Sequence, residues 1–207
     1  MYRIPYTANE LEEFLNGLPA DAQVINISQG GFKTCPSLTR FTSLTTLYCQ
    51  FNQLETLPEL PDTITHIIAN NNCFKTFSAL PPNLVSLSAE YNKIETLPPL
   101  PSTLQVLNLY DNCITHLPTL PEGLLVLGCS KNLLQTLPPL PPTLRFLYCN
   151  QNRLEILPPL PAGLERLSCE YNQISVLPKF PKSLYHLELE HNPIYEMYEM
   201  LEARARA

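Results

Sequence analysis

The chain has 207 residues, a net charge of −6 and only 15 % charged residues, so it lacks the field of Lys and Arg that binding a nucleic-acid duplex requires. Its longest apolar run, Leu124 to Cys129, is far short of the ~18 residues of a membrane span, and the segment from Met1 to Tyr6 has no apolar core of signal-peptide length. Its 22 prolines are about twice the usual ~5 % share, and they recur at fixed spacing instead of in low-complexity runs.

In chain order, Thr7-Ala8-Asn9-Glu10 is a capping box that opens a helix. Leu11, Phe14 and Leu15 form its apolar stripe and Gly17 its stop. Val24, Ile25 and Ile27 read as an irregular first strand, followed by a longer connection from Phe32 to Phe41. Asn26-Ile27-Ser28 matches a glycosylation acceptor, but inside a strand of an intracellular chain it is expected to stay unused. Residues 1–43 therefore read as an N-terminal capping helix with an irregular first repeat.

Residues 44–192 carry eight copies of a twenty-residue frame. Each copy holds one asparagine at its ninth position: Asn52, Asn72, Asn92, Asn112, Asn132, Asn152, Asn172 and Asn192. The first and fourth positions are Leu or Ile throughout, from Leu44 and Leu47 to Leu184 and Leu187. Self-similarity at this period is the signature of a leucine-rich-repeat solenoid. The fourth and sixth positions lie two apart, so in an extended strand both face the core while the third, fifth and seventh face out. Leu54, Phe74 and their equivalents fill the core on the return, where paired prolines such as Pro98 and Pro101 favour an extended backbone over a helix. The asparagines are expected to satisfy backbone groups at the bend after each strand, and so to be structural. The prediction is an α/β-repeat, mostly β fold: a right-handed leucine-rich-repeat solenoid with one parallel β-sheet on its concave face. Its convex face is extended and polyproline-like, and short helices cap the ends.

Four of the seven cysteines, Cys49, Cys129, Cys149 and Cys169, share the sixth position with Ala69, Ala89, Leu109 and Leu189. A position that alternates Cys, Ala and Leu asks for a small apolar filler, which suits a reducing, cytoplasmic location. One repeat, residues 62–81, replaces aliphatics by Phe74 and Phe77, and Ala69 is expected to make room for the extra ring volume. Residues 193–207 place Ile194, Met197 and Leu201 at helical spacing, flanked by Tyr195 and Tyr198, with Arg204 and Arg206 near the end. They read as a C-terminal capping helix, with a monomer favoured and self-association through this helix as the alternative.

Function is expected on the outward strand positions, which vary while the frame does not. The third, fifth, seventh and eighth positions supply Tyr48, Phe51, Tyr91, Tyr110, Phe146, Tyr148 and Tyr171 among Asn, Ser and Glu. Tyrosine gives area and a hydrogen bond at low entropic cost, so such a face suits a protein partner, although aromatics also favour strand surfaces for their own sake. Arg166, Glu170, His186 and Glu188, with Glu190 and His191 beside them, form a charged end suited to a basic partner. A flat strand face seldom closes a tetrahedral metal site, so no metal is expected there. No neighbouring nucleophile, base and acid occur, and no phosphate-binding glycine loop, so neither catalytic nor cofactor residues are expected.

The stretches Leu97-Pro98-Pro99-Leu100-Pro101, Leu137-Pro138-Pro139-Leu140-Pro141 and Leu157-Pro158-Pro159-Leu160-Pro161 resemble the LPX-type repeats of bacterial effectors such as YopM and the IpaH ligases. The resemblance covers about residues 44–192. It implies an effector-like scaffold or adaptor that binds a protein of a eukaryotic host in the host cytoplasm, with neither nucleic acid nor membrane as partner. IpaH-type members add a ubiquitin-ligase domain with a catalytic cysteine, for which the fifteen residues after Asn192 leave no room. Two alternatives stand beside this reading: the substrate-recognition part of a ligase-like enzyme whose catalytic domain is absent here, and a self-assembling structural protein.

Overall fold

The computed structural model describes residues 7–195. Met197, Tyr198, Leu201, Arg204 and Arg206 of the expected C-terminal cap lie outside the described residues.

Helix α1 spans Ala8–Asn16. Its capping box forms as the sequence predicts: the Glu10 N–H donates to Thr7 Oγ1 at 3.1 Å, and the Thr7 N–H donates to the Glu10 carboxylate at 2.9 Å. Leu11 and Leu15 are buried in the same apolar cluster as Ile25 and Phe41, so the helix seals the first rung of the stack. The Arg40 guanidinium donates to the Leu15 carbonyl, where the helix dipole favours a cation. Gly17 sits at φ −78°, in the right-handed region, so no left-handed glycine ends the helix. Pro19, two residues on, cannot continue it.

Nine strands follow: β1 Val24–Asn26, β2 Thr46–Tyr48, β3 His66–Ile68, β4 Ser86–Ser88, β5 Val106–Asn108, β6 Val126–Gly128, β7 Phe146–Tyr148, β8 Arg166–Ser168 and β9 His186–Glu188. They form one parallel sheet in sequence order; β2 to β9 pair with no slip of the repeat, as in Leu47↔Ile67 and Leu167↔Leu187, whereas β1 pairs two residues beyond that step, Ile25↔Leu47. At ~4.8 Å per strand the sheet is about 38 Å long. Strands are only three residues long, yet the ladder runs on to the bend: the Cys49 N–H reaches the Ile68 carbonyl at 2.9 Å, and the Phe51 N–H reaches that of Asn70 at 2.9 Å.

The fourth and sixth positions point into the core together, as expected from strand alternation. Leu47, Cys49, Leu127, Cys129, Leu167 and Cys169 are all 0 % exposed. Each buried aliphatic contributes about 1.5–3 kcal/mol of transfer energy, and the fold repeats that contribution rung by rung. Leu187 in β9, the last strand among the described residues, is 38 % exposed. Phe74 and Phe77 are both buried with ring centroids 5.2 Å apart, and Ala69 of the same repeat is buried too. The four cysteines of the sixth position are free and buried, and burial pushes the Cys129 and Cys169 thiols up to about 12. On the return segments the described residues show one isolated parallel bridge, Ile156↔Val176, and residues 193–195 begin a helical turn.

The asparagine ladder holds the rungs together. Asn132 Nδ2 donates to the carbonyls of Leu109 at 2.9 Å and Cys129 at 3.1 Å, and its Oδ1 accepts from the Ile114 N–H at 3.0 Å. Cys129 O in turn accepts from both Asn132 and Asn152, so each such carbonyl is shared by two rungs. Asn52 anchors the N-terminal connection by accepting from the Gly30 and Phe32 N–H groups, each at 3.0 Å. A second ladder has no counterpart in the sequence reading. The hydroxyls of Thr63, Thr103, Thr143 and Ser183 donate to the carbonyls of Leu44, Leu84, Leu124 and Leu164 at 2.7, 2.8, 2.9 and 2.7 Å.

Candidate functional site

The concave sheet exposes the third and fifth positions, but the eighth does not stand on the strand. Phe51, Asn71, Tyr91, Asp111, Lys131, Gln151, Tyr171 and His191 all take φ between 52° and 58°. The chain must turn there so that the next residue, the asparagine, reaches inward. The left-handed residue of the bend is thus the eighth, not the asparagine itself. For a non-glycine side chain that conformation costs about 1–2 kcal/mol, and it persists because the ladder over-determines it. Phe51, Tyr91 and Tyr171 therefore line the exit edge of the sheet, 52 %, 47 % and 50 % exposed. Tyr48, Tyr110, Phe146 and Tyr148 are half-buried on the face itself.

The aromatic and charged residues singled out in the sequence separate into three groups. Tyr48 and Phe51 lie on the rung of β2, five rungs or about 24 Å from Tyr148. The central group is Tyr91, Tyr110 and Tyr148. The Tyr91 and Tyr110 rings meet edge-on at 5.2 Å, and Lys131 Nζ lies 4.9 Å over the Tyr110 ring and 3.5 Å from the Asp111 carboxylate. Beside them is a recess of about 400 Å³, lined by these three tyrosines with Glu90, Asn108, Gly128, Ser130 and Asn150. It opens because the fifth position of β6 is Gly128, between Asn108 and Tyr148 on the neighbouring strands. A Cβ there would come within 2.8 Å of Asn108 Oδ1. Two polar side chains of the rim are held by the backbone: Asn150 Oδ1 accepts from the Glu170 N–H at 2.9 Å, and Ser130 Oγ accepts from the Asn150 N–H at 3.0 Å. Sequence reasoning passed over Glu90, Asn108, Gly128, Ser130 and Asn150. A glycine in mid-strand marks a close approach or a gap, and Gly128 was the signal available.

The third group is the charged end. His186 Nε2 lies 2.8 Å from Glu188 Oε1, and Tyr171 stacks on His191 with centroids 4.1 Å apart. A hydrogen bond from Ser168, then one from His186, holds the Glu188 carboxyl below the usual carboxylate range. Partial desolvation, then the charges of Glu188 and Glu190, push Glu170 above it. Arg166 stands on β8 beside this cluster with its Nε buried and without a hydrogen-bond partner, and Phe146 stands next to Arg166 across the β7–β8 pair. Among the described residues, no set of three or more His, Cys, Asp and Glu side chains is placed to hold a metal ion. No helix among them is long and apolar enough to cross a membrane. All eight ladder asparagines are engaged with backbone groups, as in Asn72 with Cys49 and Ala69, or Asn192 with Cys169 and Leu189.

No protein-family model matches the chain, and no curated protein matches it. Among solved structures it is similar to YopM, a leucine-rich effector protein of Yersinia pestis, at 33 % identity and a TM-score of 0.72, over 86 % of this chain and 57 % of that one. YopM of Yersinia enterocolitica matches at 28 % identity and a TM-score of 0.58, over 84 % of this chain and 52 % of that one. A Shigella effector leucine-rich-repeat domain shares the fold at 22 % identity and a TM-score of 0.60, over 99 % of this chain and 86 % of that one. The chain thus spans a little over half the length of the YopM chains it matches.

Proposed function

We propose that this chain, a leucine-rich-repeat solenoid of the twenty-residue type that resembles the repeat domain of YopM, binds a protein partner along its concave face. The carrying observation is the central group: three tyrosines around a recess in the sheet, at positions that the repeat frame leaves free. Aromatic side chains beside a concavity, with Ser130 and Asn150 at its rim already held by backbone, match the anatomy of an interface hot spot. The charged group two to three rungs further along extends the footprint toward a partner with basic character. A single outlying pair, Tyr48 and Phe51, is engaged only by a partner that follows the sheet for most of its length. In the finer reading the chain is an effector-like adaptor acting in the cytoplasm of a eukaryotic host. The resemblance to an effector supports this reading.

The test is affinity capture from eukaryotic lysate, comparing the wild type with a Tyr91, Tyr110, Tyr148→Ala variant whose circular dichroism and melting match. A protein retained by the wild type and lost by the variant supports the concave face. Equal retention by both overturns it.

A further inference from the structure

The recess over Gly128 has a chemistry of its own. Its walls are aromatic, Tyr91 and Tyr110 on one side and Tyr148 on the other, and its rim carries oxygen acceptors on Asn108 and Ser130 and the Glu90 carboxylate. The molecule already places a cation against one of these walls. Lys131 Nζ lies 4.9 Å over the Tyr110 ring, anchored from outside the recess by Asp111 at 3.5 Å. Glu90 has no such counter-charge: the ion pairs among the described residues are Lys131–Asp111, Arg145–Glu165 and His186–Glu188. Partial burial pushes its carboxyl above the usual carboxylate range, as befits a carboxylate whose ionised form lacks a partner. The surrounding face is acidic as well. Its outward positions carry Glu90, Asp111, Glu170, Glu188 and Glu190 against Lys131 and Arg166 alone.

We propose that this recess receives one arginine side chain of the protein partner, its guanidinium lying against the tyrosine walls and hydrogen-bonded to Glu90. Arginine fits better than lysine because a planar guanidinium stacks on aromatic faces and offers five donors to the Glu90, Asn108 and Ser130 oxygens. Gly128 is part of the device, since the side chain of any other residue there would occupy the space the guanidinium needs. The inference rests on the concave face being the partner's surface.

The probe is N-acetyl-arginine methylamide, titrated into the ¹⁵N-labelled chain and followed by NMR, with the neutral citrulline analogue and the lysine analogue as controls. Arginine is expected to shift the amides of Asn108, Gly128, Ser130 and Tyr148. Losing the charged hydrogen bond weakens binding by about tenfold, whether by citrulline or by Glu90→Gln. Equal binding of citrulline, or shifts confined to Glu170, Glu188 and Glu190, overturns the proposal. Equal binding of the lysine analogue overturns the guanidinium assignment. Partner capture separates the two levels. A partner lost by the tyrosine variant but held undiminished by Glu90→Gln refutes the arginine recess and leaves the concave face standing. A partner held by both variants refutes both.

Discussion

Asn132→Ala removes one link of the ladder, and its cost can be worked out group by group. Asn132 Nδ2 reaches the carbonyls of Leu109, Cys129 and Ser130 at 2.9, 3.1 and 3.2 Å. Each of these keeps another donor: Asn112 for Leu109, Asn152 for Cys129 and the Asp111 N–H for Ser130. The Ile114 N–H, bonded to Asn132 Oδ1 at 3.0 Å, has no other partner, and Ile114 is 0 % exposed. The loss is therefore one orphaned buried donor, about 1–3 kcal/mol, with about 1 kcal/mol more for the void left by the amide. A loss of about 2–4 kcal/mol is expected, read in urea as a lower midpoint with an unchanged slope. Asn132→Asp keeps the acceptor but turns a carboxylate toward three carbonyls. Its folded pKa lies above the unfolded value, so its deficit against the wild type is largest at neutral pH and shrinks as acid protonates it. A cost below about 0.5 kcal/mol for Asn132→Ala, the level of an ordinary surface substitution, refutes the single-donor reasoning.

The hydroxyl ladder skips Gly123, where a Cβ would find nothing nearer than the Ser102 carbonyl at 3.9 Å. Gly123→Thr restores a donor to the Leu104 carbonyl and restrains the unfolded chain, so thermal unfolding should show a gain of about 1–2 kcal/mol; no rise in Tm removes the ladder from the list of stabilising features. Ellman's reagent in native buffer should titrate the exposed Cys113 first and the half-exposed Cys73 next. Cys49, Cys129, Cys149 and Cys169 should react only on unfolding; rapid native reaction of these four contradicts their burial. Glu170→Gln should raise Tm slightly at pH 7, because the folded-state carboxyl titrates above its unfolded value and ionising it costs the fold stability. That gain should vanish below about pH 4, where the wild-type carboxyl is protonated in both states; a gain that persists at pH 3 is not electrostatic.

The period carried most of the fold. Four core residues, one bend asparagine and a proline-rich return recur at a period of twenty, and a chain so spaced has one way to bury Leu47 with Cys49 and Leu127 with Cys129. The left-handed eighth position was invisible, because Phe51, Lys131 and Tyr171 are not residues that seek it; the ladder imposes it on whatever stands there. The hydroxyl ladder was hidden by a position that mixes Thr103 with Gly123 and Asn83. Alternation assigned Tyr48, Tyr110 and Tyr148 to one face, but a face is not a site. Distances across rungs divided the eleven partner-binding candidates into three groups, and the missing side chain at Gly128 made one of them concave.

Sharing each sixth-position carbonyl between successive asparagines makes every interior rung chemically interchangeable with its neighbours, and strand contacts reach no further than the adjacent strand. Length is therefore free to drift in whole units. Gain or loss of twenty residues by unequal recombination leaves both new junctions with the same bonds as the old ones, and alters the reach of the concave face by ~4.8 Å. A gain or loss of one residue between a strand and its asparagine leaves that amide out of step with both neighbours. Such a gene lengthens or shortens in steps of sixty nucleotides, and selection removes the intermediate sizes.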